Sequence, residues 1–152
     1  MAKGLHFEEF TIGQVFDHPI TRSVTEMDNV LFSTLTMNPQ PLHIDFHFAA
    51  TRSEFGKPLV NSLFTLGLMI GISVHDTTFA TTIANLGMTD VRFPHPLFHG
   101  DTVKVRSEVI GKRESRSRPE AGLIEFEHQA FNQDGTLVAA CKRQAFMRRL
   151  PN

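Results

Sequence analysis

In Asn38-Pro39-Gln40-Pro41-Leu42-His43-Ile44-Asp45, two prolines stand just ahead of a histidine. Proline fixes its own φ, so the ring of His43 is expected at the end of a short, stiff loop. A neutral imidazole can take and give a proton near pH 7, which makes a rigidly held His43 a candidate acid–base group. Asn38, five residues earlier, can orient a water through its amide but cannot remove its proton. The same residue before a proline is equally an ordinary turn former. Asp45 offers a second acidic group near the histidine, and it is equally placed to cap a helix over Phe46 to Ser53.

Several elements must hold this segment. Thr25-Glu26-Met27-Asp28 reads as a capping box, and Met27, Val30, Leu31 and Leu35 follow at helical spacing. A helix over Glu26 to Thr36 therefore delivers the chain into the Asn38–His43 loop. Lys57-Pro58 stops the helix that follows, and the run from Leu59 to Val74 is apolar nearly all round, as a helix buried on every side would be. Gly67 and Gly71, four apart, predict a flat face on that helix for close approach of a sheet. Strand patterns cover Gln14 to Arg22, Thr82 to Phe93 with Gly87 marking a bulge or a close backbone approach, Thr102 to Lys112, Ile124 to Ala130, and Leu137 to Met147. Asn132-Gln133-Asp134-Gly135 is a hairpin turn. The expected fold is α+β: a long central apolar helix wrapped by a curved antiparallel sheet, in one domain over residues 1–152.

Composition narrows the partners. A net charge of −1 over 152 residues carries no nucleic-acid footprint. The longest apolar run, Leu63 to Val74, is about 12 residues and too short to span a bilayer. The single cysteine, Cys141, excludes an intrachain disulfide and reads as a small buried hydrophobe, and no Cys/His spacing suggests a metal site. Without a signal-peptide pattern at the N-terminus, a cytoplasmic protein is expected. Fourteen Phe with no Trp or Tyr point to a greasy interior or an acyl pocket.

Pro41, Leu42, His43 and Asp45 resemble the Pro-Leu-His-x-Asp half of the hydratase motif of the MaoC-like dehydratases, the (R)-specific enoyl-CoA hydratase branch of the hotdog superfamily. Phe93-Pro94-His95-Pro96-Leu97-Phe98-His99-Gly100-Asp101-Thr102-Val103 is similar to that family's strand–turn–strand signature. The family pattern has a catalytic Asp where this chain has Asn38. The resemblance implies the hotdog fold and addition or removal of water at the β-carbon of an enoyl-CoA. It further implies His43 as acid–base group, Asn38 as water clamp, and Pro41 and Asp45 as motif support. At the start of the central helix, Asn61, Ser62 and Leu63 are implied to position the thioester through backbone N–H groups. Polar loop residues suggest a short or dicarboxylic acyl group, mesaconyl-like or β-methylmalyl-like.

No organic cofactor or metal is implied, since CoA arrives as part of the acyl-CoA substrate. Its phosphates need cations, for which Arg52, Lys57, Lys112, Arg113, Arg116 and Arg118 are candidates, although a charge run is also an ordinary solvated face. The family organisation implies a homodimer or a dimer of dimers. Two other readings stay open: a hotdog acyl-CoA thioesterase, and a non-catalytic acyl-CoA-binding module, because the motif Asp is Asn38.

Overall fold

The computed structural model describes residues 4–151. Helix α1 (Glu26–Leu35) opens as its sequence predicts: the Thr25 hydroxyl accepts the Asp28 N–H, and the Asp28 carboxylate accepts the Thr25 N–H. Its amphipathicity, however, is inverted. An apolar stripe ordinarily faces the core, yet Met27, Leu31 and Leu35 are 69, 52 and 74% exposed while Asn29 and Ser33 are fully buried. The fully buried positions of α1 make hydrogen bonds, and the half-buried Phe32 packs edge-on against Phe64.

The His43 segment is not a loop. Residues Pro41–Ile44 form a single helical turn, α2, with Pro41 at its first position, where the missing N–H has no partner to lose. Helix α3 (Phe46–Arg52) follows directly, capped by Asp45, whose Oδ1 accepts the Phe48 N–H at 2.8 Å. The long helix α4 spans Ser62–Thr77. It begins three residues later than the apolar run, because Leu59 and Val60 are extended: Leu59 pairs with Phe98, and the Val60 N–H donates to the Leu97 carbonyl.

Six antiparallel strands form the sheet among the described residues. They are β1 (Val15–Asp17), β2 (Arg22–Ser23), β3 (Thr82–Arg92), β4 (Thr102–Glu114), β5 (Ala121–Phe131) and β6 (Leu137–Arg148). Their order is β1-β4-β5-β6-β3, with β2 beside the start of β4. The single strand expected over Gln14 to Arg22 is thus two short ones, and Pro19, which cannot donate to a ladder, lies in the break. The register slips between Asn85 and Gly87, the expected bulge.

The sheet buries Val103, Val105, Ala130, Ala139 and Cys141 against Met69 and Ile72 of α4. A second cluster around Phe10, Val109, Ile124, Phe126 and Met147 closes the other end. Cys141 is the small buried group its pattern predicts, and burial pushes its thiol pKa up. Helix α4, by contrast, is not buried on every side, since Leu63 is 59% exposed. The expected approach of the sheet at Gly67 and Gly71 is corrected too: a Cβ on either would meet no atom within 4 Å. The sheet packs on the other side of α4, where Thr65, Met69, Ile72 and Ser73 are buried. Glycine spacing marks a flat helix face but not which neighbour occupies it. At the sheet margin β3 is an open edge, with Leu86 and Val91 exposed on it.

Candidate active site

The Nδ1 of His43 lies 2.8 Å from the Leu59 carbonyl. A carbonyl only accepts, so Nδ1 carries the proton and Nε2 holds the lone pair of the neutral ring. His43 is 9% exposed and makes no hydrogen bond through Nε2 to a described residue. The sequence signal for this residue was the proline pair; the geometry adds which nitrogen keeps its lone pair.

Asn38 enters the same segment as a turn former: its Oδ1 accepts the Gln40 N–H at 3.0 Å, and its own N–H donates to the Ser33 carbonyl at 2.8 Å. Its Nδ2 is engaged by no described residue, which leaves a donor. One oxygen of Asp45 is committed to capping α3, on the exposed surface.

At the start of α4, Asn61 is the N-cap: its Oδ1 accepts the Leu63 N–H at 3.0 Å. The Asn61 N–H is itself taken by Asn29 Oδ1 at 2.9 Å. Of the three positions expected to offer backbone donors, therefore, only Ser62 keeps an N–H free of described partners, and Phe64 N–H is likewise free. These two point from the positive end of a 16-residue helix. Beside them opens a cavity of about 360 Å³ lined by Leu59, Val60, Ser62, Thr65, Phe93 and Leu97, among others. The residue whose carbonyl holds His43 thus also walls this cavity.

The Gly100-Asp101 pair proves to be a structural turn. Gly100 has φ +92°, which favours glycine, and Asp101 Oδ2 accepts the Phe98 N–H at 2.8 Å. This turn fixes Phe98 beside Leu59 and His99 beside α1. His95 also walls the cavity, and its Nδ1–H donates to the Leu137 carbonyl at 3.0 Å.

The candidate cations divide into two groups. Arg52 ends α3, and Lys57 lies 4.0 Å from the centre of the Phe98 ring, so both flank the His43 segment. Lys112 is ten positions beyond Thr102 on β4, about 33 Å along a strand at ~3.3 Å per residue. There its ammonium binds the Glu8 and Phe10 carbonyls at 3.1 and 2.6 Å, anchoring the N-terminal segment. Arg113, Arg116 and Arg118 line a separate cavity of about 700 Å³ at the β4–β5 turn, with Leu86, Leu123 and Phe146. Within one chain these four residues are not brought to His43.

A second polar array crosses the inner face of the sheet, and it is invisible in the sequence because its members are far apart in the chain. Asp76 Oδ2 lies 3.0 Å from His18 Nδ1, and His18 Nε2 lies 2.8 Å from Ser107 Oγ. From Ser107, the line runs 2.6 Å to His128 Nδ1, and Arg143 Nε–H donates to His128 Nε2 at 3.1 Å. With both imidazoles neutral, every link is satisfied by Arg143 donating to His128, His128 to Ser107, Ser107 to His18 and His18 to the Asp76 carboxylate; a protonated His18 donates to Ser107 and Asp76 alike. Burial first, then the Arg143 and His18 charges, hold the His128 pKa well below its ordinary value. The Ser107–His18–Asp76 order is that of a nucleophilic triad. Ser107 is nevertheless fully buried and lines none of the cavities described, so the array is a strut tying α4 to β4, β5 and β6.

A long helix lying on a six-stranded antiparallel sheet, with a buried histidine tied to the residues that lead into that helix, is the hotdog fold. The chain belongs to the MaoC-like domain family, whose sequence model matches residues 7–129. It is 29% identical over 146 residues to a mesaconyl-CoA hydratase of Cereibacter sphaeroides, covering 96% of this chain and 42% of that one. A β-methylmalyl-CoA dehydratase of Chloroflexus aurantiacus is 30% identical over 146 residues, covering 96% and 41%. An unliganded R-hydratase of Pseudomonas aeruginosa superposes with a TM-score of 0.80 at 26% identity, over 97% of this chain and 88% of that one. The chain therefore spans about two fifths of the length of these two curated relatives.

Proposed function

We propose that this chain adds water to, or removes it from, the β-carbon of an enoyl-CoA. The observation that carries the reading is the His43–Leu59 hydrogen bond, which leaves Nε2 as the free base beside the α4 N-terminus. In hydration, Nε2 takes a proton from a water held by the Asn38 Nδ2–H, and the hydroxide oxygen bonds to Cβ. The electron pair of the Cα–Cβ double bond moves toward the thioester, whose oxygen meets the Ser62 and Phe64 N–H groups. The His43 imidazolium then returns the proton to Cα, so one water is consumed and the base is restored. Asn38 has no proton-accepting role here; His43 serves both proton transfers.

A cavity of about 360 Å³ suits a short acyl group, in keeping with the mesaconyl and β-methylmalyl thioesters named for the two relatives. A CoA thioester substrate also accords with a cytoplasmic location. Among described residues, no helix is long and apolar enough to cross a membrane.

The distant arginines fit this reading if a second hotdog unit pairs antiparallel along the open edge of β3. The Arg92 end of β3 leads into the Phe93 wall of the cavity at the start of α4, which Leu59 but not His43 lines, whereas Leu86 borders the arginine-lined one. Antiparallel pairing sets the arginine end of one unit beside the histidine end of the other. Arg113, Arg116 and Arg118 would then reach the phosphates of a CoA bound by the partner unit, in a homodimer or a dimer of dimers.

The reading is tested by incubating the protein with crotonyl-CoA, mesaconyl-CoA and longer enoyl-CoAs, then weighing products and titrating free thiol. Products heavier by one water without thiol release are expected. Thiol release would instead mean a thioesterase, and thioester binding without either product would mean a binding module.

A further inference from the structure

Asn29 lies in the middle of α1 with no exposed surface. Asparagine is a poor helix former, and a buried amide is costly unless its groups are paired. Here every group is paired, and none of the partners belongs to α1. The Oδ1 accepts the Asn61 N–H at 2.9 Å. The Nδ2 group lies 3.0 Å from the Leu59 carbonyl, 3.0 Å from His99 Nε2 and 3.3 Å from the His43 carbonyl. The orientation of the amide is unambiguous, since a backbone N–H can only donate and a carbonyl can only accept.

The Leu59 carbonyl therefore receives two donors, His43 Nδ1–H at 2.8 Å and Asn29 Nδ2–H at 3.0 Å, and both its lone pairs are filled. One turn further along α1, Ser33 Oγ accepts the Asn61 Nδ2–H at 3.3 Å. The polar stripe turned inward by α1 thus grips the histidine segment, the extended residues before α4 and the His99 turn at one point. This explains why Met27, Leu31 and Leu35 face outward.

We propose that Asn29 is the positioning residue of this site, holding the His43 ring and the donor end of α4 in one fixed geometry through the Leu59 carbonyl and the Asn61 N–H. The inference rests on the hydratase reading for its catalytic consequence, and on the hydrogen bonds alone for its structural one. Asparagine is required because the position needs a donor and an acceptor together. Aspartate keeps the bond to Asn61 but sets a second oxygen against the Leu59 carbonyl.

The test combines side-chain ¹⁵N spectra of the histidines with pH-dependent hydration of crotonyl-CoA and mesaconyl-CoA, in wild type, Asn29→Asp and Asn29→Ala. Wild type is expected to show His43 and His99 both protonated on Nδ1 in their neutral forms. In Asn29→Asp the His43 resonances should move, kcat should fall about 10²-fold with little change in KM, and the acid limb of the rate profile should rise. A carboxylate at position 29, across the shared Leu59 carbonyl from the His43 ring and against the His99 ring, favours the charged imidazole, so a higher pH is needed to free the base. A protein losing only packing would lower its melting temperature without moving that limb. Protonation of His99 on Nε2 in the wild type overturns the proposal whether or not either variant folds. So does a folded Asn29→Asp with unmoved His43 resonances. A wild type that turns over no thioester, while its His43 resonances still respond to Asn29→Asp, upholds the positioning role and overturns the hydratase reading instead.

Discussion

His43 and Leu59, sixteen residues apart in sequence, are joined by a 2.8 Å hydrogen bond from ring to backbone. Because Leu59 leads directly into α4, the bond makes the base and the helix N-terminus parts of one body. A tautomer is fixed by the same contact: Nδ1 is committed to the scaffold, and Nε2 keeps its lone pair with no described partner.

Asn38 holds with its oxygen and has a nitrogen to spare. Asn38→Asp keeps the acceptor for the Gln40 N–H, so the melting temperature should stay close to that of wild type. The donor to water is replaced by a second base. The acid limb of the kcat/KM profile, single in the wild type, should become steeper or gain a second ionisation. An unchanged profile in the folded variant would mean that Asn38 touches no reacting water.

His128 makes stability depend on acidity. Its folded pKa lies well below the ordinary 6.5 because burial and then the neighbouring Arg143 and His18 charges oppose the imidazolium. The unfolded chain then binds more protons than the folded one, so this contribution is present above about pH 6.5 and is lost as pH falls below it. Thermal melts of wild type should drop between pH 7 and pH 5, and His128→Gln should flatten that drop. Equal slopes in the two proteins would contradict the array.

Ser107 separates a strut from a triad. Removing its hydroxyl leaves His18 and His128 without their shared partner, a cost of about 1–3 kcal/mol for buried polar groups. Ser107→Ala should therefore lower the urea midpoint while kcat stays within twofold. Loss of turnover without loss of stability would instead make Ser107 a nucleophile.

The arginines at the β4–β5 turn report on pairing. Arg113→Ala and Arg116→Ala should raise KM for CoA thioesters severalfold with kcat retained, the sign of lost ground-state binding. The same substitutions should do nothing if only Arg52 and Lys57, beside His43, meet the phosphates.

Much of this was legible in the chain because local rules govern it. The Thr25 capping box, the Asp45 cap, the Gly87 bulge and the Asn132–Gly135 hairpin all form as their residues dictate. His43 was legible because prolines announce a fixed backbone. Asn29 was not, since an asparagine amid Met27, Val30 and Leu31 looks like a weak point in a helix until its partners at 59, 61 and 99 are known. The face of Gly67 and Gly71 was misassigned for a related reason: periodicity defines a helix surface, and only tertiary packing decides what lies against it.

Steady-state hydration of crotonyl-CoA and mesaconyl-CoA by wild type and His43→Gln, with folding checked by circular dichroism, tests the central claim most directly. Glutamine keeps a side-chain amide able to reach the Leu59 carbonyl but cannot exchange a proton. A folded variant should retain thioester binding and lose roughly 10²- to 10⁴-fold in kcat, the usual share of a general acid–base group. Turnover within tenfold of wild type would contradict His43 as the base and require the chemistry to lie elsewhere on the fold.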